Sequence, residues 1–167
     1  MNYFEYNGIK IETKFKLSDE QENALKRLID KLYENDKEPI TLSGSAGSGK
    51  SSLIKYLELY LNKRSPRYFN FIYAAPTHAA TVYLGLNLGY LPFTVQSIVI
   101  NKYDTKFKEW VKTFSSKFLN SLDFTMKNVL VIDEASMLSC EDVFVLQTLA
   151  QKENLQLIFL GDKAQLP

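Results

Sequence analysis

The stretch "ITLSGSAGSGKSSLIKYLELYL", residues 40 to 61, decides how the rest of the chain is read. It starts as a short apolar strand, "ITLS", turns through the glycine-rich "GSAGSGKSS" of residues 44 to 52, and runs on with a pattern that predicts a helix over 50–62. Gly44, Gly49, Lys50 and Ser51 satisfy GxxxxGK[ST], and a strand before it with a helix after it is the context that makes this motif a phosphate cradle. Phosphate oxygens need backbone N–H groups at close range, and Gly44, Gly47 and Gly49 lack the Cβ atoms that would block that approach. The helix beginning near Lys50 adds the positive end of its dipole. Gly44, Ser45, Ala46, Gly47, Ser48, Gly49, Lys50, Ser51 and Ser52 are therefore expected to hold a nucleotide, with Lys50 on the β- and γ-phosphates and the Ser51 hydroxyl on Mg²⁺. The plainer alternative is a glycine-rich turn between strand and helix with no ligand.

A nucleotide site of this kind needs an acid at the end of a second buried strand. "VLVIDEAS", residues 129 to 136, provides one. Asp133 is expected to hold Mg²⁺, directly or through water, and Glu134 to orient and deprotonate an attacking water. The alternative for both is a helix cap or a solvated loop acid. Around these two stretches strands and helices alternate: strand "YFNFIYAA" and a helix from about 77 to 88, then strand "NVLVID", a helix over 139–152 and strand "LQLIFL". Short apolar strands separated by helical lengths predict an α/β fold, a parallel sheet flanked by helices through right-handed crossovers.

Two segments fall outside this rhythm. Near the N-terminus, "YFEYNGIKIETKF" places Asn7-Gly8 between alternating apolar and polar residues, which predicts an accessory hairpin over residues 1–16 with a type I′ turn. In "LSDEQENALKRLIDKLYEN", Ala24, Leu25, Leu28, Ile29 and Leu32 share one helical stripe, and Ser18 and Gln21 have capping-box spacing. Residues 101 to 127, rich in lysine and aromatics, read as an insertion between sheet strands. Within it Phe107, Trp110, Val111, Phe114 and Phe118 have helical spacing, with a small unit of mixed structure as the alternative.

Bulk properties narrow the class further. With 167 residues, 46% of them hydrophobic, the chain can bury a core without staples. A formal net charge of +1 offers no electrostatic argument for nucleic acid or membrane, so any such partner must rest on a motif. Cys140 is the single cysteine, and no Cys/His metal spacing or basic-apolar leader is present, so a reducing cytoplasm is expected. The uncharged run from Tyr68 to Asn101 is interrupted by Pro76, Pro92 and Gly89, which argues against a membrane span.

Four further stretches, "LSDEQ" (17–21), "AAPTHAA" (74–80), "TVQSI" (94–98) and "LGDKAQLP" (160–167), stand in order around the phosphate loop and the acid strand. Together these motifs resemble those of superfamily 1 DNA helicases, most closely the RecD-like and Dda-like branch that moves 5′ to 3′, over about residues 17 to 167. The resemblance implies a RecA-like P-loop NTPase domain that binds ATP and Mg²⁺. It implies that Gln21 reads the adenine base, the other reading being a capping-box residue only, and that Gln165 senses the γ-phosphate, with Asp162 supporting its loop. It further implies that Pro76, Thr77 and His78, with Thr94 and Ser97, touch single-stranded DNA; the plain alternative is that Thr77 caps a helix. Relatives often carry "TIHS" where this chain has Gln96 in place of the histidine, which removes any role for an imidazole there. In relatives the insertion before the acid strand forms a pin that splits the duplex, so Phe107 and Trp110 become candidate stacking residues and Lys102, Lys106, Lys108 and Lys112 candidate phosphate contacts; the alternative is that the aromatic stripe is core.

Helicases of this class close ATP between two RecA-like domains, the second bringing arginines that contribute roughly 10³ to 10⁵ in rate. The present chain has three arginines, Arg27, Arg64 and Arg67. A second RecA-like domain is thus an expected partner, as are replication or recombination proteins, and the chain by itself is expected to hydrolyse ATP slowly and not to unwind DNA. Two other readings stand beside this one: a stand-alone P-loop module that binds DNA or a partner without turnover, and a different ATPase, such as an AAA+ protein or packaging motor, expected to carry another polar residue in place of GDxxQ.

Overall fold

The computed structural model describes residues 1–45 and 48–162. Its centre is a five-stranded sheet built from β3 (Ile40–Ser43), β4 (Phe69–Ala75), β5 (Phe93–Thr94), β8 (Lys127–Ile132) and β9 (Gln156–Gly161). The order across the sheet is β3-β9-β8-β4-β5, and every pairing is parallel. Helices α1 (Asp19–Tyr33), α2 (Lys50–Arg64), α3 (His78–Leu88) and α6 (Cys140–Lys152) fill the long connections, with two single-turn helices, α4 (Val95–Ile98) and α5 (Ser116–Leu119). This is the RecA-like P-loop NTPase fold expected from the motif and the alternation.

Alternation along the strands explains why the sheet is apolar on both faces. Val129 and Val131 of β8, with Ile158 and Leu160 of β9, point into one cluster with Leu25, Ile29, Leu53, Leu57 and Tyr60 of α1 and α2. Leu130, Ile132, Leu157 and Phe159 point to the opposite side, where Ile98, Phe118, Leu146 and Leu149 cover them.

The N-terminal hairpin, β1 (Asn2–Tyr6) and β2 (Ile9–Thr13), turns through Asn7 at φ 49° and Gly8 at φ 79°, both positive as a type I′ turn requires. Phe4 and Ile11 are buried in the α1/α2 cluster. The buried Tyr60 of α2 meets Phe4 edge-on at 6.1 Å between ring centroids and donates its hydroxyl to the carbonyl of Tyr6 at 3.0 Å. Tyr56, one turn earlier, accepts the N–H of Lys14 at 3.0 Å. At the start of α1 both capping-box bonds form: the Gln21 N–H donates to Ser18 Oγ at 3.2 Å and the Ser18 N–H to Gln21 Oε1 at 2.9 Å.

One expectation is corrected. The helical spacing of Phe107, Trp110, Val111, Phe114 and Phe118 does not make a helix; residues 99–114 form an antiparallel hairpin, β6 (Val99–Asp104) and β7 (Glu109–Phe114). Val99, Ile100 and Tyr103 in one arm and Trp110, Val111, Thr113 and Phe114 in the other favour strand, and Asp104 closes the turn by accepting the N–H groups of Lys106 and Phe107 at 2.9 and 3.2 Å. The aromatic stripe divides accordingly. Phe114 and Phe118 are core, while Phe107 and Trp110 are exposed, Trp110 by 71%. Trp110 pairs across the hairpin with Tyr103, ring centroids 5.5 Å apart.

Tyr60→Phe removes one of the hydrogen bonds that tie the hairpin region to α2, leaving those of Tyr56 and Lys63, and is expected to lower the unfolding free energy by about 1 kcal/mol. Tyr60→Ala also empties a core site and is expected to cost about 3–5 kcal/mol. Urea denaturation of both variants followed by far-UV circular dichroism checks the pair; equal losses would remove the hydrogen bond from the account.

Candidate nucleotide site

The site lies at the C-terminal edge of the sheet, and strand order creates it. β9 sits between the strand that enters the glycine turn and the strand that ends in the acid, so Gly161 and Asp162 emerge between Ser43 and Asp133. The register pairs Ser43 with Gly161 and Ile132 with Phe159, and the Gly44 N–H continues the ladder by donating to the Gly161 carbonyl at 3.2 Å.

Within the loop, backbone shape follows the glycines. Gly49 takes φ 87° as the residue before α2, a conformation in which a Cβ would also lie 3.0 Å from Gln21 Nε2. A Cβ on Gly44 would meet Ser48 Oγ at 2.5 Å, closer than real contacts allow. Lys50 folds back over its own loop: Nζ donates to the carbonyls of Gly44 and Ser45 at 2.7 and 2.9 Å and lies 3.5 Å from Ser48 Oγ. These oxygens hold the ammonium group in the space where phosphates are expected.

Gln21 is fully engaged. Its Oε1 closes the capping box, and its Nε2 donates to the Ser48 carbonyl at 3.2 Å. The structure therefore places Gln21 against the phosphate loop and shows the capping role that was the alternative to base reading. Ser51 and Ser52 open α2 and line the same cleft as Asp133. Asp133 is anchored by its N–H to the Ala74 carbonyl at 2.9 Å, and its Oδ1 accepts the N–H of Glu134 at 2.9 Å. Glu134 is exposed and left-handed, φ 51°, a conformation that costs a non-glycine residue about 1–2 kcal/mol. Such strain beside a candidate metal ligand fits a residue held in place for chemistry. Among the described residues no cluster of three or more His, Cys, Asp or Glu forms a cage. One carboxylate and one hydroxyl facing a cleft fit Mg²⁺, which keeps several waters and takes its remaining ligands from substrate phosphates.

Pro76, Thr77 and His78 follow β4, and β5 brings Thr94 beside Ala75 in register, so these two motifs share the sheet edge. Both threonines are helix caps: Thr77 Oγ1 accepts from the Ala80 N–H at 3.1 Å, and Thr94 Oγ1 from the Ser97 N–H at 3.2 Å. Ser97 Oγ donates to the Thr94 carbonyl at 2.8 Å. Pro76, Thr77 and Gln96 line a second cleft of about 410 Å³ with Lys112 on one wall and Glu141 and Asp142 on another. His78 is exposed. Ala46, Gly47 and Gln165 lie outside the described residues. The exposed Tyr103 is a candidate that the motifs miss; its signal in the sequence is the alternation that sets it opposite Trp110.

A sheet edge that joins a GxxxxGK[ST] loop to a strand-terminal acid defines a P-loop nucleoside triphosphatase domain. The chain belongs to the AAA domain family, whose match spans residues 16–167 and whose members include superfamily 1 helicases of the RecD type. An uncharacterized protein of Acanthamoeba polyphaga mimivirus is 30% identical over 88% of this chain and 32% of its own length, so the chain spans about a third of that relative. In fold, the chain is similar to domain III of the Thermotoga maritima replication initiation protein DnaA, with a TM-score of 0.52 and 13% identity over 89% of this chain and 54% of that one. The large terminase of a thermophilic bacteriophage matches at a TM-score of 0.44 and 13% identity, covering 88% and 39%. No helix among the described residues is long and apolar enough to cross a membrane.

Gly49→Ala forces a Cβ into a left-handed position against Gln21 and is expected to lower stability by about 1 kcal/mol or more. Thermal denaturation with and without nucleotide checks it, and an unchanged midpoint would show that the loop relaxes freely.

Proposed function

We infer that this chain is the ATP-binding motor domain of a DNA helicase of the RecD/Dda-like branch, which travels 5′ to 3′ on single-stranded DNA when complete. The observation that carries this reading is one sheet edge that gathers the phosphate loop, the acid and the "APTHAA" and "TVQSI" segments, beside a hairpin that exposes aromatics and lysines. Gly44 to Ser52 cradle the phosphates of ATP, and Lys50 leaves its three loop oxygens to meet them. Ser51 and Asp133 hold Mg²⁺, which when bound neutralises charge on the phosphates. Glu134 holds the attacking water and accepts its proton. Gln21 releases the Ser48 carbonyl to read adenine, and Gln165 senses the γ-phosphate.

Single-stranded DNA crosses Pro76, Thr77, His78, Thr94 and Ser97 as a partner held by hydroxyls and backbone N–H groups rather than by net charge. The tip of the β6–β7 hairpin supplies Trp110, Tyr103 and Phe107 for stacking, and the exposed Lys102, Lys106, Lys108 and Lys112 for phosphates. Arg64 closes α2, fourteen residues from Lys50 and so about 20 Å along the helix, and it stacks on Tyr33. The arginines that complete hydrolysis are accordingly assigned to a second RecA-like domain, and replication or recombination proteins to the surroundings of the whole enzyme, in a reducing cytoplasm.

Lys50→Ala is expected to weaken ATP binding by about 100-fold or more, since it removes charge-assisted bonds to two phosphates, while the circular dichroism spectrum is retained. Isothermal titration with Mg-ATP reads this; retained affinity would overturn the phosphate-loop assignment. Trp110 is the one tryptophan of the chain, so its fluorescence reports stacking directly. Oligo(dT) is expected to quench it, and Trp110→Ala to weaken oligo(dT) binding by about 1–3 kcal/mol. Absence of both effects would remove the hairpin from the DNA path.

A further inference from the structure

The cleft that holds Ser51 and Asp133 at its upper end, about 830 Å³ in all, continues down between α2 and α3 over the sheet to Glu58. Glu58 is seven residues beyond Ser51 on the same helix, about 10 Å along its axis, and thus well below the phosphates. Its surroundings do not resemble a nucleotide site. Tyr73 of β4 and Tyr90 line the cleft together with Glu58, and burial first, then the Glu58 charge, pushes both tyrosine hydroxyls above their ordinary range. Tyr56, Leu84 and Leu88 add apolar wall. Burial pushes the Glu58 carboxyl above its ordinary range, against the opposing pull of the Tyr73 hydroxyl and of Lys55. Among the described residues no ammonium or guanidinium group forms an ion pair with it; the ion pairs found are those of Lys31 with Glu34 and Asp36.

Charge balance sets the sign of a ligand. Glu12, Glu58 and Asp133 line the cleft against Lys14 and Lys55, and both lysines are exposed at its mouth, whereas the carboxylate of Glu58 is the charge held inside. A half-buried carboxylate with no ion pair has lone pairs to offer a donor. Tyrosine ring faces beside it attract cations. The volume suits a molecule of drug size with an apolar body.

We propose that the lower half of this cleft is a binding site for a small organic cation, a primary amine or guanidinium on an aromatic or aliphatic body, whose charged head pairs with Glu58 while its body packs among Tyr56, Tyr73, Tyr90, Leu84 and Leu88. The site does not depend on the helicase reading.

The test is a ¹H–¹⁵N NMR titration of the whole chain with phenethylamine, and in parallel with 2-phenylethanol, which keeps the shape and lacks the charge. Saturable shifts on α2 below Ser51, on β4 at Tyr73 and on α3 are expected for the amine. The alcohol, and the amine on Glu58→Gln, are expected to bind at least about tenfold more weakly, as loss of a charge-assisted bond requires. Mg-ATP titration of the same samples shows that Glu58→Gln leaves the phosphate loop intact. Equal binding of amine and alcohol, unchanged amine binding by Glu58→Gln, or no saturable shift with the amine would each overturn the proposal.

Discussion

The hydrogen bond from the Gly44 N–H to the Gly161 carbonyl is the joint on which the site depends. It extends the β3–β9 ladder one step past the sheet edge and fixes where the glycine turn leaves the sheet. Had β3 paired directly with β8, the phosphate loop and Asp133 would stand one strand spacing, about 4.8 Å, apart. With β9 between them the separation doubles, and Gly161 and Asp162 occupy the gap. The β9 edge thus supplies a third set of groups between the other two.

This arrangement explains which features are legible in the sequence. The phosphate loop, the acid strand, the capping box and the Asn7-Gly8 turn are local, each decided by a few adjacent residues with special backbone or hydrogen-bonding demands. The sheet follows from strand-length apolar runs separated by helices. Strand order is a long-range property: nothing in "LQLIFL" says that it lies between the two motif strands. The β6–β7 hairpin is masked because Phe107, Trp110, Val111 and Phe114 satisfy a helical period by coincidence, while the Asp104 turn that fixes the hairpin lies in polar residues that a hydrophobic period ignores. That Glu58 and Tyr73 line one cleft is hidden for a related reason, since they are fifteen residues apart on different elements.

The capping of Thr77 and Thr94 bears on the proposed DNA contacts. A hydroxyl that accepts from a helix N–H keeps a second lone pair and its own proton. Capping and phosphate contact are therefore compatible, and the cap orients the hydroxyl at the helix N-terminus, where an anion is favoured. Glu141 and Asp142, which line the same cleft, oppose an anion there, and Lys112 offsets part of that charge.

Helix α2 ties these regions into one mechanical unit. Its first turn carries Lys50, Ser51 and Ser52; its second and third carry Tyr56, Glu58 and Tyr60, which grip the hairpin and the β4 face. Gln21 joins α1 to the same loop through Ser48. Lys50 satisfies the carbonyls of Gly44 and Ser45 and Gln21 satisfies that of Ser48, so the proposed ligand would exchange these bonds for its own. Exchange of one set of charge-assisted bonds for another costs little net energy, whereas opening an unpartnered ammonium site costs its full desolvation. Lys50 and Gln21, the two side chains that the proposed ligand would recruit, thus tie the described flanks of the loop to α2 and α1, and the hairpin packs behind α2.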